Sequence, residues 1–144
     1  MKMESCKISE IQAKPEMVHI LIAEDEAAIA LSLADLLEGE GYVVTAASDG
    51  IEALAEAERL GDALDALVTD LNMPHMSGED LIRVIRSSRP ELPILIVTGS
   101  APLGGVEELR RHGGGTGPMA LLHKPMDYQD LVQTLRRAIF PKHP

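Results

Sequence analysis

Short apolar runs alternate with helix-period segments five times along this chain, and that alternation leaves few folds open. The runs fall at 18–23 (VHILIA), 42–46 (YVVTA), 63–69 (ALDALVT), 93–98 (PILIVT) and 119–123 (MALLH). Each has strand length and several are β-branched. Between them the apolar residues space out to helical period. Ile29, Leu33, Leu36 and Leu37 mark one face of a helix over 26–38, and Ala53, Leu54, Ala57 and Leu60 one over 49–60. Ser77, with Asp80 three residues on, has the pattern of a helix start, and Pro90 follows that helix's end. Further helices are expected over 106–112 and 127–140. Strict alternation implies a parallel sheet with right-handed crossovers and helices on both faces. The unbroken run PILIVT suits a central strand buried on both sides.

Composition narrows the function classes. With 144 residues, 45% hydrophobic but only 2% aromatic, the chain suits one domain with an aliphatic core. The net charge of −10 comes from 13 basic and 23 acidic residues, and no local basic patch opposes it. Such a chain repels phosphate backbones and anionic lipid, so neither direct nucleic-acid binding nor membrane binding is expected. Cys6 is the only cysteine, which rules out an intrachain disulfide or a thiolate metal cluster. No apolar run approaches the roughly 18–20 residues needed to span a bilayer, and 1–16 lacks a secretory signal's apolar stretch. A cytoplasmic location is expected.

In open parallel sheets, functional groups gather at the carboxyl ends of the strands. Here those ends carry Glu24 and Asp25 after the first strand, Asp70 after the third, Thr98 at the end of the fourth and Lys124 after the fifth. Three carboxylates meeting at one edge call for a counter-cation, and oxygen ligands suit Mg²⁺.

The motifs LIAEDE, VTDLNMPHMSG, ILIVTGSA and LLHKPM, in that order and each at an expected strand end, resemble the receiver domain of two-component response regulators. The resemblance runs from about Val18 to Phe140. It implies a flavodoxin-like, doubly wound five-stranded sheet of order 2-1-3-4-5 with five helices. It divides the chain into a flexible lead-in, 1–16, and a receiver domain, 17–144. Asp70 is then the phosphoacceptor, charged by a sensor histidine kinase or a histidine phosphotransfer protein. Mg²⁺ is held by Asp25, Asp70 and the Asn72 backbone carbonyl, with Glu24 acting through water. Thr98 and Lys124 contact the phosphoryl group, and the Lys124–Pro125 bond is cis. The readout is an unidentified downstream protein, and 141–144 reads as an end or the start of a linker.

The chain departs from the family pattern at three places. Glu24 stands where Asp is more usual. Leu121 stands where a Tyr or Phe usually moves with the switch. The stretch between Thr98 and Lys124 is longer than usual and includes GGGTG at 113–117. Glycine disfavours helix by about 1 kcal/mol per residue relative to alanine. A fourth helix of at most about three turns is therefore expected, then an irregular, mobile loop whose ordering replaces the aromatic switch.

Two other function classes compete. A Mg²⁺-dependent phosphohydrolase with an aspartyl nucleophile would usually carry a second acid two residues on. Here that residue is Asn72, which cannot protonate a leaving group. A pseudo-receiver acting only as an interaction module fits poorly with Asp70, Thr98 and Lys124 all in place. The histidines lack metal-ligand spacing, and His75 and His123, which flank the expected site, read as loop packing.

Overall fold

The computed structural model describes residues 18–141, so the expected lead-in 1–16 lies outside the described residues. Five parallel strands form one sheet: β1 (His19–Ala23), β2 (Val43–Ala47), β3 (Leu64–Thr69), β4 (Ile94–Thr98) and β5 (Met119–His123). Their order is β2-β1-β3-β4-β5, as expected. Five α-helices alternate with them: α1 (Ala27–Gly39), α2 (Gly50–Leu60), α3 (Gly78–Ser88), α4 (Gly105–Leu109) and α5 (Tyr128–Ile139).

Side chains alternate across each strand, so the apolar runs feed two cores. Leu21 and Ala23 of β1, with Leu67 of β3 and Ile94 and Ile96 of β4, pack against Ala53 and Ala57 of α2, Leu81, Ile82 and Ile85 of α3, and Leu109 of α4. Ile20, Ile22, Val68, Leu95 and Val97 point the other way, onto Leu33 and Leu37 of α1 and Leu131 and Leu135 of α5. Burial on both faces is why the strands read as continuous apolar runs. Each fully buried Leu or Ile contributes about 1.5–3 kcal/mol relative to exposure.

Side-chain caps place three helix starts. Asp49 accepts from Glu52 N at 2.7 Å, Ser77 Oγ from Asp80 N at 3.1 Å, and Asp127 from Gln129 N at 2.8 Å. The fourth helix is short, as expected. After Leu109 the chain widens into a looser turn over Arg110–Gly114, where Gly113 takes φ 107°.

The glycine stretch that follows is irregular, but it is tied down in a way the sequence reading did not anticipate. Arg86 of α3 lies 6% exposed beneath it. Its guanidinium donates to the carbonyls of Gly114 (2.8 Å), Pro118 (2.7 Å), Leu92 (2.5 Å) and Arg89 (3.2 Å). Arg110 donates to the carbonyls of Gly115 and Gly117. A Cβ on Gly117 would lie 2.9 Å from the Arg86 guanidinium carbon and 2.1 Å from the Pro90 carbonyl oxygen. The glycines thus form a cradle that a larger residue would fill.

Candidate functional site

The chain crosses from one side of β1 to the other between β2 and β3, and the candidate site lies at that switch point. Backbone hydrogen bonds set the strand ends level with one another. Glu24 N donates to Ala47 O (3.0 Å), Asp70 N to Ala23 O (3.1 Å) and Lys124 N to Thr98 O (2.9 Å). Residues just beyond the strands therefore converge. Carboxylate oxygens of Glu24, Asp25 and Asp70 all lie within 4.8 Å of one another. Hard oxygen donors in this number fit Mg²⁺ better than a thiophilic metal.

Lys124 enters the same cluster. Its Nζ donates to Asp70 Oδ2 at 2.8 Å and to Glu24 Oε1 at 2.9 Å, with Glu26 Oε1 at 3.7 Å. The Lys124–Pro125 bond is cis, as the resemblance implies. The other Asp70 oxygen, Oδ1, accepts from the amides of Leu71 (2.6 Å) and Asn72 (3.3 Å). Glu24 Oε2 accepts from Glu26 N at 3.0 Å. The extra methylene of Glu24 thus spans an ammonium and a helix-start amide.

Electrostatics follow from burial and pairing. Burial alone would push the Asp70 carboxyl up. Hydrogen bonds from Lys124, the Thr98 hydroxyl and Asn72 N, with the Lys124 charge, hold it below the ordinary carboxylate range. At Glu24, 3% exposed, burial outweighs the Lys124 and Glu26 contacts and raises the carboxyl. For Lys124, burial would lower the ammonium, but its bonds to Asp70 and Glu24 raise it. At neutral pH, Asp70 is therefore a buried anion beside a half-buried cation, with Asp25 exposed at the pocket's edge.

The remaining expected residues fall around this cluster. Thr98 is fully buried at the end of β4. Leu121 lies mid-strand on β5, paired with Ile96, and is an apolar neighbour of the core rather than part of the polar cluster. His123 ends β5 and is exposed.

Sequence reasoning passed over Gly78, although it closes the motif VTDLNMPHMSG. A Cβ there would lie 2.0 Å from the Asp70 carbonyl oxygen and 2.7 Å from Leu71 Cα. Both neighbours are backbone, so the chain at Asp70 and Leu71 would itself have to shift. Gly78→Ala should cost about 1–3 kcal/mol, the usual range for overpacking. Denaturant titration reads this directly, and an unmoved midpoint would contradict it.

Comparison with known proteins agrees with this geometry. The family model described as "Response regulator receiver domain" matches residues 20–136. The chain belongs to that family. It is 31% identical over 120 residues to the sensor kinase CckA of Brucella abortus (strain 2308), covering 83% of this chain and 12% of that protein. It is 34% identical over 125 residues to the probable transcriptional regulatory protein TcrX of Mycobacterium tuberculosis (strain ATCC 25618 / H37Rv), covering 87% and 51%. The chain thus spans about half or less of the length of these curated relatives. A response regulator receiver domain protein from Clostridium thermocellum superposes with a TM-score of 0.76 at 31% identity, covering 85% of this chain and 94% of that one. The receiver is a signalling domain of two-component systems, and this chain has that domain's sheet order and acidic pocket. Among the described residues no helix is long and apolar enough to cross a membrane.

Proposed function

We propose that Asp70 accepts a phosphoryl group from a phosphohistidine on a sensor histidine kinase or histidine phosphotransfer protein, and that the charged state switches binding to a downstream protein. One observation carries this reading. Asp70 is a buried carboxylate grouped with Glu24 and Asp25, with the Lys124 ammonium 2.8 Å away.

An Asp70 carboxylate oxygen forms a bond to phosphorus. The P–N bond to the donor imidazole breaks, and its electron pair leaves with the nitrogen. The transferring group is loose and metaphosphate-like, so alignment and charge stabilisation account for most of the catalysis. Mg²⁺ held by Asp25, Asp70 and the Asn72 carbonyl, with Glu24 acting through water, would neutralise phosphoryl oxygens. Lys124 exchanges its carboxylate contact for a phosphoryl oxygen, and the Thr98 hydroxyl donates to another. The domain acts only on its own phosphorylation and dephosphorylation, without turnover of a separate substrate, and works in the cytoplasm. An apolar recess of about 350 Å³ beside Lys124, lined by Ile29, Pro125, Met126 and Tyr128, supports docking of a donor protein there.

Incubation with Mg²⁺ and acetyl phosphate should add the mass of one phosphoryl group, and EDTA should prevent it. Full labelling in EDTA, or none in Mg²⁺, would overturn the reading.

A further inference from the structure

The loop from Asp70 to Gly78 is anchored at its inner end by its own backbone. Leu71 N and Asn72 N hold Asp70 Oδ1, and Gly78 N donates to Leu71 O at 2.8 Å. Its outer end has a different character. Met76 N donates to Pro74 O at 2.7 Å, closing a three-residue turn around His75. His75 has φ 71°, the one positive φ outside glycine among the described residues. A turn of this sense is rare and strained, and a strained residue persists only where its surroundings hold it.

Here the surroundings are the start of α2. Asp49 Oδ2 lies 2.8 Å from His75 Nδ1, while Asp49 Oδ1 caps the helix through Glu52 N at 2.7 Å. The next residue, Gly50, lets the turn approach closely, since a Cβ there would lie 2.5 Å from Met76 O. The Asp49 carboxylate therefore ties helix α2 to the acceptor loop across 26 residues of sequence.

We propose that Asp49 is a positioning residue for the acceptor site: by holding the His75 imidazole it keeps the strained turn in place, and with it the Leu71–Asn72 amides that orient Asp70. Asp49 touches none of the reacting atoms. Its capping and pairing contacts both favour the ionised form and hold its carboxyl below the ordinary range. The part of this proposal that concerns labelling rests on the phosphoacceptor reading, while the part that concerns loop order does not.

The test separates the two jobs of Asp49. Asp49→Ser keeps an oxygen for the Glu52 amide, since serine is also a good N-cap, but is too short to hold His75. Without donor or metal, it should speed amide hydrogen exchange across Leu71 to Met76. With acetyl phosphate and Mg²⁺ it should slow labelling about two- to fivefold, the size an exposed pair supports. Glycine adopts positive φ without strain, so a loop with His75→Gly has no strain for Asp49 to restrain. In that background Asp49→Ser should change neither exchange nor labelling further. Unchanged exchange in Asp49→Ser would overturn the proposal. So would an equal loss in both backgrounds, which would trace the effect to the helix cap instead. A wild-type chain that takes no label at all would refute the phosphoacceptor reading, while the exchange comparison would still decide the role of Asp49.

Discussion

Asp70→Asn protein should take up no phosphoryl group from acetyl phosphate in Mg²⁺, while the wild-type chain gains the mass of one. The amide is neutral and its nitrogen lone pair is delocalised, so it is a poor nucleophile where the carboxylate is an effective one. The substitution is nearly isosteric. Leu71 N and Asn72 N can still donate to the retained oxygen, and Lys124 keeps Glu24 as a partner at 2.9 Å. The variant should therefore fold, and its circular dichroism and amide spectra should match those of the wild type. Among the described residues, Glu24 and Asp25 are the carboxylates grouped with Asp70 within 4.8 Å. Undiminished labelling of Asp70→Asn, mapped to a peptide containing either of them, would move the acceptor away from Asp70.

Arg86→Ala should destabilise the chain by about 3 kcal/mol, lowering the melting temperature by on the order of 10 °C. The buried guanidinium meets four carbonyls and, among the described residues, no carboxylate within ion-pair distance. Truncation strands acceptors at Gly114 and Leu92, each costing about 1–3 kcal/mol when left dry, while the Pro118 carbonyl keeps the Ile94 amide at 3.1 Å and water entering the vacated space recovers part of the loss. Arg86→Lys keeps the charge but lacks the planar fork, so it should fall between the two. Hydrogen exchange should rise over 113–118 in Arg86→Ala while β1 and α1 stay protected. A melting temperature equal to that of the wild type would show that the cradle contributes nothing to folding.

The expectation of an irregular stretch after a short fourth helix followed from glycine's poor helix propensity, and the chain there is irregular. Glycine content registers backbone freedom, not the cation that lies underneath the stretch. Arg86 lies in the last turn of α3, and nothing beside it in the sequence marks its role. Its partners Gly114 and Pro118 are 28 and 32 residues away, and they are backbone carbonyls, which every residue carries. His75 reads as loop packing for the same reason, because Asp49 lies 26 residues upstream.

Hydrophobic period is a local property, so strands, helices and their parallel arrangement could be read from the order of residues alone. The placement of Glu24, Asp25, Asp70, Thr98 and Lys124 followed with them, because a parallel sheet brings all its carboxyl ends to one edge. What that edge does with them was decided in three dimensions. Only the packed structure has Lys124 shared between Asp70 and Glu24, Gly78 pressed against the Asp70 carbonyl, and a glycine run closed around the buried Arg86 guanidinium. Each depends on ångström-scale separations between segments distant in sequence, and side-chain type and spacing do not carry those distances.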